Sequence, residues 1–125
     1  MATLKASTFN DRDSAERHFL GLVDQGAENA RMRHLTPGPG QSMTYELKHQ
    51  EALAGGGPMI AAEAEALGVT NQEVVDSVLL ARQKWQALSA KIESARLKAK
   101  KQIREAETAV EMHRIASELQ GQLAP

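Results

Sequence analysis

TNQEVVDSVLLARQKWQALSAKIESARLKAKKQIREAE, residues 70–107, is the stretch that decides the fold. It opens with a capping box, in which the Thr70 hydroxyl answers the amide of Glu73 and the Glu73 carboxylate answers the amide of Thr70. No proline or glycine interrupts it. Val78, Trp85, Ile92 and Ala99 recur every seven residues, interleaved with Val74, Ala81, Leu88 and Ala95, which is the spacing of a heptad seam. At 1.5 Å per residue such a helix runs to roughly 50 Å, longer than a compact globule of this chain length needs. The expected molecule is therefore elongated. Trp85, the single Trp of the chain, falls on the seam and reads as a packing anchor. An indole is crowded in a two-stranded coil, which leans the expectation towards three strands or a mixed bundle.

On the C-terminal side, Thr108 with Glu111 repeats the capping pattern, and Val110, Met112, Ile115 and Leu119 mark a final helix that Gly121 should end. Upstream, Met59 to Leu67 reads as a short Ala-rich helix stopped by Gly68, preceded by a flexible joint of Gly55, Gly56, Gly57 and Pro58. Ser42 to Ala54 is a modest amphipathic helix with Met43 and Leu47 on one side and Lys48, His49, Gln50 and Glu51 mainly on the other. TPGPGQ, residues 36–41, is a firm break. Asp13 with Glu16 has the form of a helix start, and Phe19, Val23, Ala27 and Ala30 carry an apolar stripe to about Leu35. The first ten residues, MATLKASTFN, have no helical period and read as an extended docking arm offering Leu4 and Phe9. The organisation is thus an arm at 1–12, a helical hairpin-like region at 13–57, and the short, long and final helices at 58–125.

The 125 residues fit one all-α folding unit. Aromatic residues make up only 3%, and about a sixth of the chain is Ala. Helices with so little large apolar surface gain modestly from packing within one monomer, so self-association through Val74, Val78, Ala81, Trp85, Leu88, Ile92, Ala95 and Ala99 is expected as a coiled coil or helical bundle. Without cysteine there is no disulfide, thiolate metal site or Cys nucleophile. No apolar run is long enough to span a bilayer, and the start of the chain lacks the apolar core of a signal peptide. A formal net charge of −1 gives no global footprint of a nucleic-acid binder.

Residues that could carry chemistry are few. His18, His34, His49 and His113 are scattered, with no metal-ligand spacing, and read as surface or interface residues. No nucleophile, phosphate-cradle or dinucleotide motif occurs. Glu63 and Glu65 stand two apart and so diverge on a helix. No catalytic, cofactor or metal site is expected. RLKAKKQIR, residues 96–104, carries Arg96, Lys98, Lys100, Lys101 and Arg104 without an acidic residue. It reads first as a solvated helix end complementing the helix dipole, and second as a contact for an acidic partner.

The order of these elements resembles small accessory proteins of tailed bacteriophages, tail-fibre-associated or other virion proteins. The matching positions are Arg31, Arg33, Thr36, Pro37, Gly38, Tyr45, Lys48, Glu51, Trp85, Ile92, Glu93, Arg96, Leu97 and Lys100, across roughly residues 30–107. The resemblance implies a non-enzymatic structural component of a virion, assembled in the bacterial host cytoplasm, homo-oligomeric and trimeric by fibre symmetry. The arm would contact another virion protein, with no membrane or nucleic-acid partner. A tail assembly chaperone is the alternative reading, and a small DNA-binding regulator the third.

Overall fold

The computed structural model describes residues 9–35 and 38–124. Over these residues the chain forms five helices and no strand: α1 (Arg12–Met32), α2 (Pro39–Leu53), α3 (Pro58–Leu67), α4 (Asn71–Glu105) and α5 (Ala109–Leu123). They group into two compact units, one made of Met1–His34 with Ser89–Pro125 and the other of Leu35–Leu88. The all-α expectation holds. The long helix expected after Thr70 is present as α4, and its residues are divided between the two units.

In the first unit, α1 buries Ala15, Phe19, Val23, Ala27 and Ala30, spaced three or four apart along one face. Ala15, Phe19 and Val23 pack with Met112, Ile115, Ala116 and Leu119 of α5 and with Ala99, Ile103 and Ala106. The start of α1 lies two residues earlier than the Asp13 pattern predicts. Asp11, in extended conformation, is the N-cap and accepts from the Ser14 amide at 2.7 Å. This choice puts Arg12 in the first turn, where its side chain donates to the carbonyls of Ala106 at 2.9 Å and Arg104 at 2.7 Å, with Ile103 at 3.5 Å. Those carbonyls belong to the end of α4 and would otherwise lack partners. Thr108 then caps α5 by accepting from the Glu111 amide at 3.2 Å, as its spacing predicts. Gly121 does not end α5. The helix continues to Leu123, which packs against the core and whose carbonyl accepts from Arg33, so tertiary contacts override the glycine.

In the second unit the buried residues are Ala52, Ile60, Ala64, Val74 and Val75, with Val78 and Leu79 packed against them. α2 begins at Pro39, inside the run expected to be broken, because proline suits the first turn of a helix and Gly38 precedes it at φ 90°. The Gly55–Gly57 segment is a defined turn and not a loose joint. The Gly56 amide donates to the Glu51 carbonyl at 2.8 Å and that of Gly55 to Ala52 at 3.1 Å, the pattern of a left-handed helix stop. The Glu51 side chain then turns to the start of α3 and accepts from the amides of Met59 at 3.0 Å and Ile60 at 3.1 Å. A Cβ on Gly57 would overlap that carboxylate. Gly68 ends α3 as its position predicts, with φ 68° and Val69 donating to Ala64 at 3.0 Å. Thr70 and Glu73 form the reciprocal box at the start of α4, at 3.1 and 3.0 Å.

Two stability effects follow from these helix ends. Arg12→Ala removes the bonds to the α4 carbonyls and should lower unfolding free energy by about 1–3 kcal/mol in a urea titration, while leaving the second unit's spectroscopic signals unchanged. Gly57→Ala should cost about 1–2 kcal/mol by displacing the Glu51 cap. In a double-mutant cycle its effect should largely vanish in a Glu51→Ala background, because the clash and the cap are one interaction.

Candidate interaction surfaces

The eight residues expected to form one intermolecular seam have separate fates. Val74, Ile92 and Ala99 are buried within the single chain, and Val78, Trp85, Leu88 and Ala95 are partly buried. Ala81 is exposed. Val74 belongs to the core of the second unit and Ala99 to that of the first. The continuous seam facing another polypeptide is therefore corrected: most of its apolar surface is already covered by this chain's own residues.

The docking arm needs the same correction at Phe9. Leu4 lies outside the described residues, but Phe9 is half-buried on the core of the first unit. Its ring lies 5.5 Å from that of Phe19 and 5.3 Å from His18, and Phe19 also meets His18 and His113 edge-on at 4.9 and 6.0 Å. Phe9 is a packing residue of its own fold.

The basic run divides as well. Arg96 donates to Asp24 at 2.8 Å and grips Glu93 with two further bonds at 2.7 and 3.1 Å. Lys100 reaches both oxygens of Asp24 at 3.0 and 3.1 Å, and Arg31 also pairs with Glu93. For Arg96 and Lys100 the acidic partner expected from outside is thus an aspartate of α1. Burial works to raise the Asp24 carboxyl, but the bonds from Arg96 and Lys100 outweigh it and hold the group below its usual range. Glu93 is held low chiefly by its hydrogen bond from Arg96, against a smaller effect of burial. Arg96 itself is raised, first by Glu93 and then by Asp24. Lys98, Lys101 and Arg104 remain exposed, Lys101 lying 3.8 Å from Glu105.

The surface that the sequence reading missed is on α2. Its hydropathy pattern points Met43 and Leu47 towards a core, yet they are 64% and 46% exposed, and every residue from Gly38 to Leu47 is exposed. The polar side turns inward instead. Lys48 is covered and bonded to Glu63 at 2.6 Å, and Glu51 caps α3 beside the buried Ala52. Glu46 pairs with Arg82 at 3.0 Å. The spacing of Lys48 from Glu51, with the start of α3 so close behind, carries the only sequence signal for this inversion. The Gly-Pro turn brings that helix start back onto the last turn of α2.

Among the described residues no group of three or more His, Asp or Glu side chains is placed to hold a metal ion, and no helix is long and apolar enough to cross a membrane. Comparison with protein families, with curated proteins and with solved structures gives no match to this chain.

The Asp24 cluster makes stability depend on acid in a definite direction. A carboxyl whose pKa is lower in the fold than in the open chain contributes fully above the open-chain value near 4, and that contribution disappears as pH falls through the lowered value. Asp24→Asn should therefore cost about 1 kcal/mol at pH 7 and progressively less on acidification from pH 5 to pH 3, measured by urea unfolding. An undiminished difference at the acid end would remove the ion pairs as its cause.

Proposed function

We propose that this chain is a non-enzymatic structural component of a tailed-bacteriophage virion, a tail, fibre or other connector protein that acts by helix-mediated association. The observation that carries this reading is the outward apolar side of α2 in a unit whose buried core has only small and mid-sized side chains. Met43 and Leu47 stand one helical turn apart on that side, a place for another polypeptide to cover them. The resemblance of residues 30–107 to accessory phage proteins supplies the setting: assembly in the bacterial cytoplasm and residence in the particle. The segment before Phe9, with Leu4, would dock on a neighbouring virion protein.

The same exposed side also suits a tail assembly chaperone, which holds an apolar client surface and then departs. Mass spectrometry of purified particles separates the two readings. The structural reading expects the chain in particles at constant stoichiometry; the chaperone reading expects it in the infected-cell lysate and absent from particles. Removing residues 1–8, which keeps Phe9 on the core, should abolish incorporation while leaving the helical circular dichroism unchanged. Normal incorporation of that truncated chain would reject the docking role of the segment.

A further inference from the structure

The second half of α4 turns only part of its circumference towards its own chain. Ile92, Ala99 and Ile103 are buried, and on that inner side Arg96 and Lys100 meet Asp24 while Glu93 holds Arg31 and Arg96. Each of these ions has a partner. The outer side carries Ala90, Lys91, Ser94, Leu97, Lys98 and Lys101, all exposed. Among the described residues Lys91 and Lys98 have no carboxylate within ion-pair distance, and Lys101 has only Glu105, at 3.8 Å. The helix dipole accounts for a cation in the last turn, such as Arg104, but its effect fades within that turn, and Lys98 and Lys91 stand about two and four turns from the helix end. The chain thus supplies acids for the inward cations of α4 and almost none for three lysines along about 15 Å of its outer side.

We infer that this outer side binds an acidic amphipathic helix of another protein, its carboxylates facing Lys91, Lys98 and Lys101 and its apolar edge covering Leu97 and Ala90. The unanswered lysines set the sign of the partner's charge. Its amphipathic character follows from how the charges are placed. Ser94 stands at the centre, three or four residues from Lys91 and Lys98 in one row and from Ala90 and Leu97 in the other. The small serine lets a second backbone come close, the lysine row takes carboxylates, and Leu97, 53% exposed, takes an apolar side chain. A nucleic acid would leave the Leu97 row unused, finds no aromatic side chain there on which to stack a base, and gains no long-range attraction from a chain of net charge −1. A membrane surface needs several large apolar side chains to enter it, and this side has one. The site is independent of the outward side of α2 and of residence in a particle.

The test uses the full chain and a fluorescent synthetic helix with Leu and Ala in one row and Glu in the adjoining row, each repeating every seven residues. Anisotropy should show binding that weakens as salt is added. Lys91→Glu with Lys98→Glu should weaken it about tenfold or more. Arg17→Glu with Arg114→Glu, the same change of charge at exposed positions on α1 and α5, should alter it less than about twofold. Circular dichroism of both variants should match the wild type, because all four side chains are exposed. Leu97→Ser should weaken the helix about fivefold, and polyglutamate, which lacks the apolar row, should bind about tenfold more weakly than the helix. Absence of binding at low salt, or binding indifferent to the lysine pair or to Leu97→Ser, overturns the site. Polyglutamate, a DNA duplex or phosphatidylglycerol vesicles binding as tightly as the helix through the same lysines overturns the choice of an acidic amphipathic partner. Sedimentation that shows the chain alone self-associating through Lys91 and Lys98 assigns this side to a second copy and overturns the foreign partner.

Discussion

Backbone groups left open at helix ends are the constraint on which the rest of this structure depends. A chain with so few large apolar side chains cannot leave terminal carbonyls and amides without partners and still hold helices together through packing alone. Two side chains answer that need at a distance. Arg12, from the first turn of α1, closes the carbonyls at the end of α4 and fixes where that helix yields to α5. Glu51, from the last turn of α2, closes the amides at the start of α3. Each joins elements that also meet in a shared core beside the junction, Ala15 with Ile103 and Ala106, and Ala52 with Ile60. Each also determines orientation: once Glu51 faces α3, Lys48 beside it meets Glu63, and Met43 and Leu47 must point the other way.

What was legible in the sequence follows from the range of the interactions involved. The capping boxes of Thr70 with Glu73 and Thr108 with Glu111, and the left-handed stop at Gly68, are decided within five residues, and the helices begin and end there as read. Gly121 carries the same local signal as Gly68 but is overruled by the packing of Leu123 and by Arg33, neither of which is visible from neighbouring residues. Asp11 and Asp13 are equivalent as caps by local chemistry, and the choice falls to Asp11 together with the reach of Arg12 to carbonyls more than ninety positions away. The Gly-rich segment looked loose because its two anchors, the Glu51 carbonyl and carboxylate, lie outside it.

The candidate surfaces were less legible for the same reason. A search for acidic partners on the same helix finds Glu93 for Arg96 but cannot find Asp24, which lies on α1 and also claims Lys100. The heptad spacing of α4 correctly marked an apolar edge, yet spacing alone does not say whether a copy or the chain itself covers it. Here Val74 and Ala99 are taken by two different cores. Met43 and Leu47 show the opposite failure. Hydropathy assumes that an amphipathic helix is anchored by its apolar side, and α2 is anchored by a lysine, a carboxylate and one alanine.

That anchoring has a consequence for function. The core of the second unit consists of two Ala, one Ile and two Val, a small amount of buried apolar area for a unit of its length. A single chain uses its polar side chains to hold α2 in place and leaves Met43 and Leu47 exposed. Covering them would add apolar burial without undoing any internal bond, since Lys48, Glu51, Ser42 and Thr44 are already satisfied. Folding and association are then coupled, because whatever binds the outward stripe stabilises the folded unit by mass action.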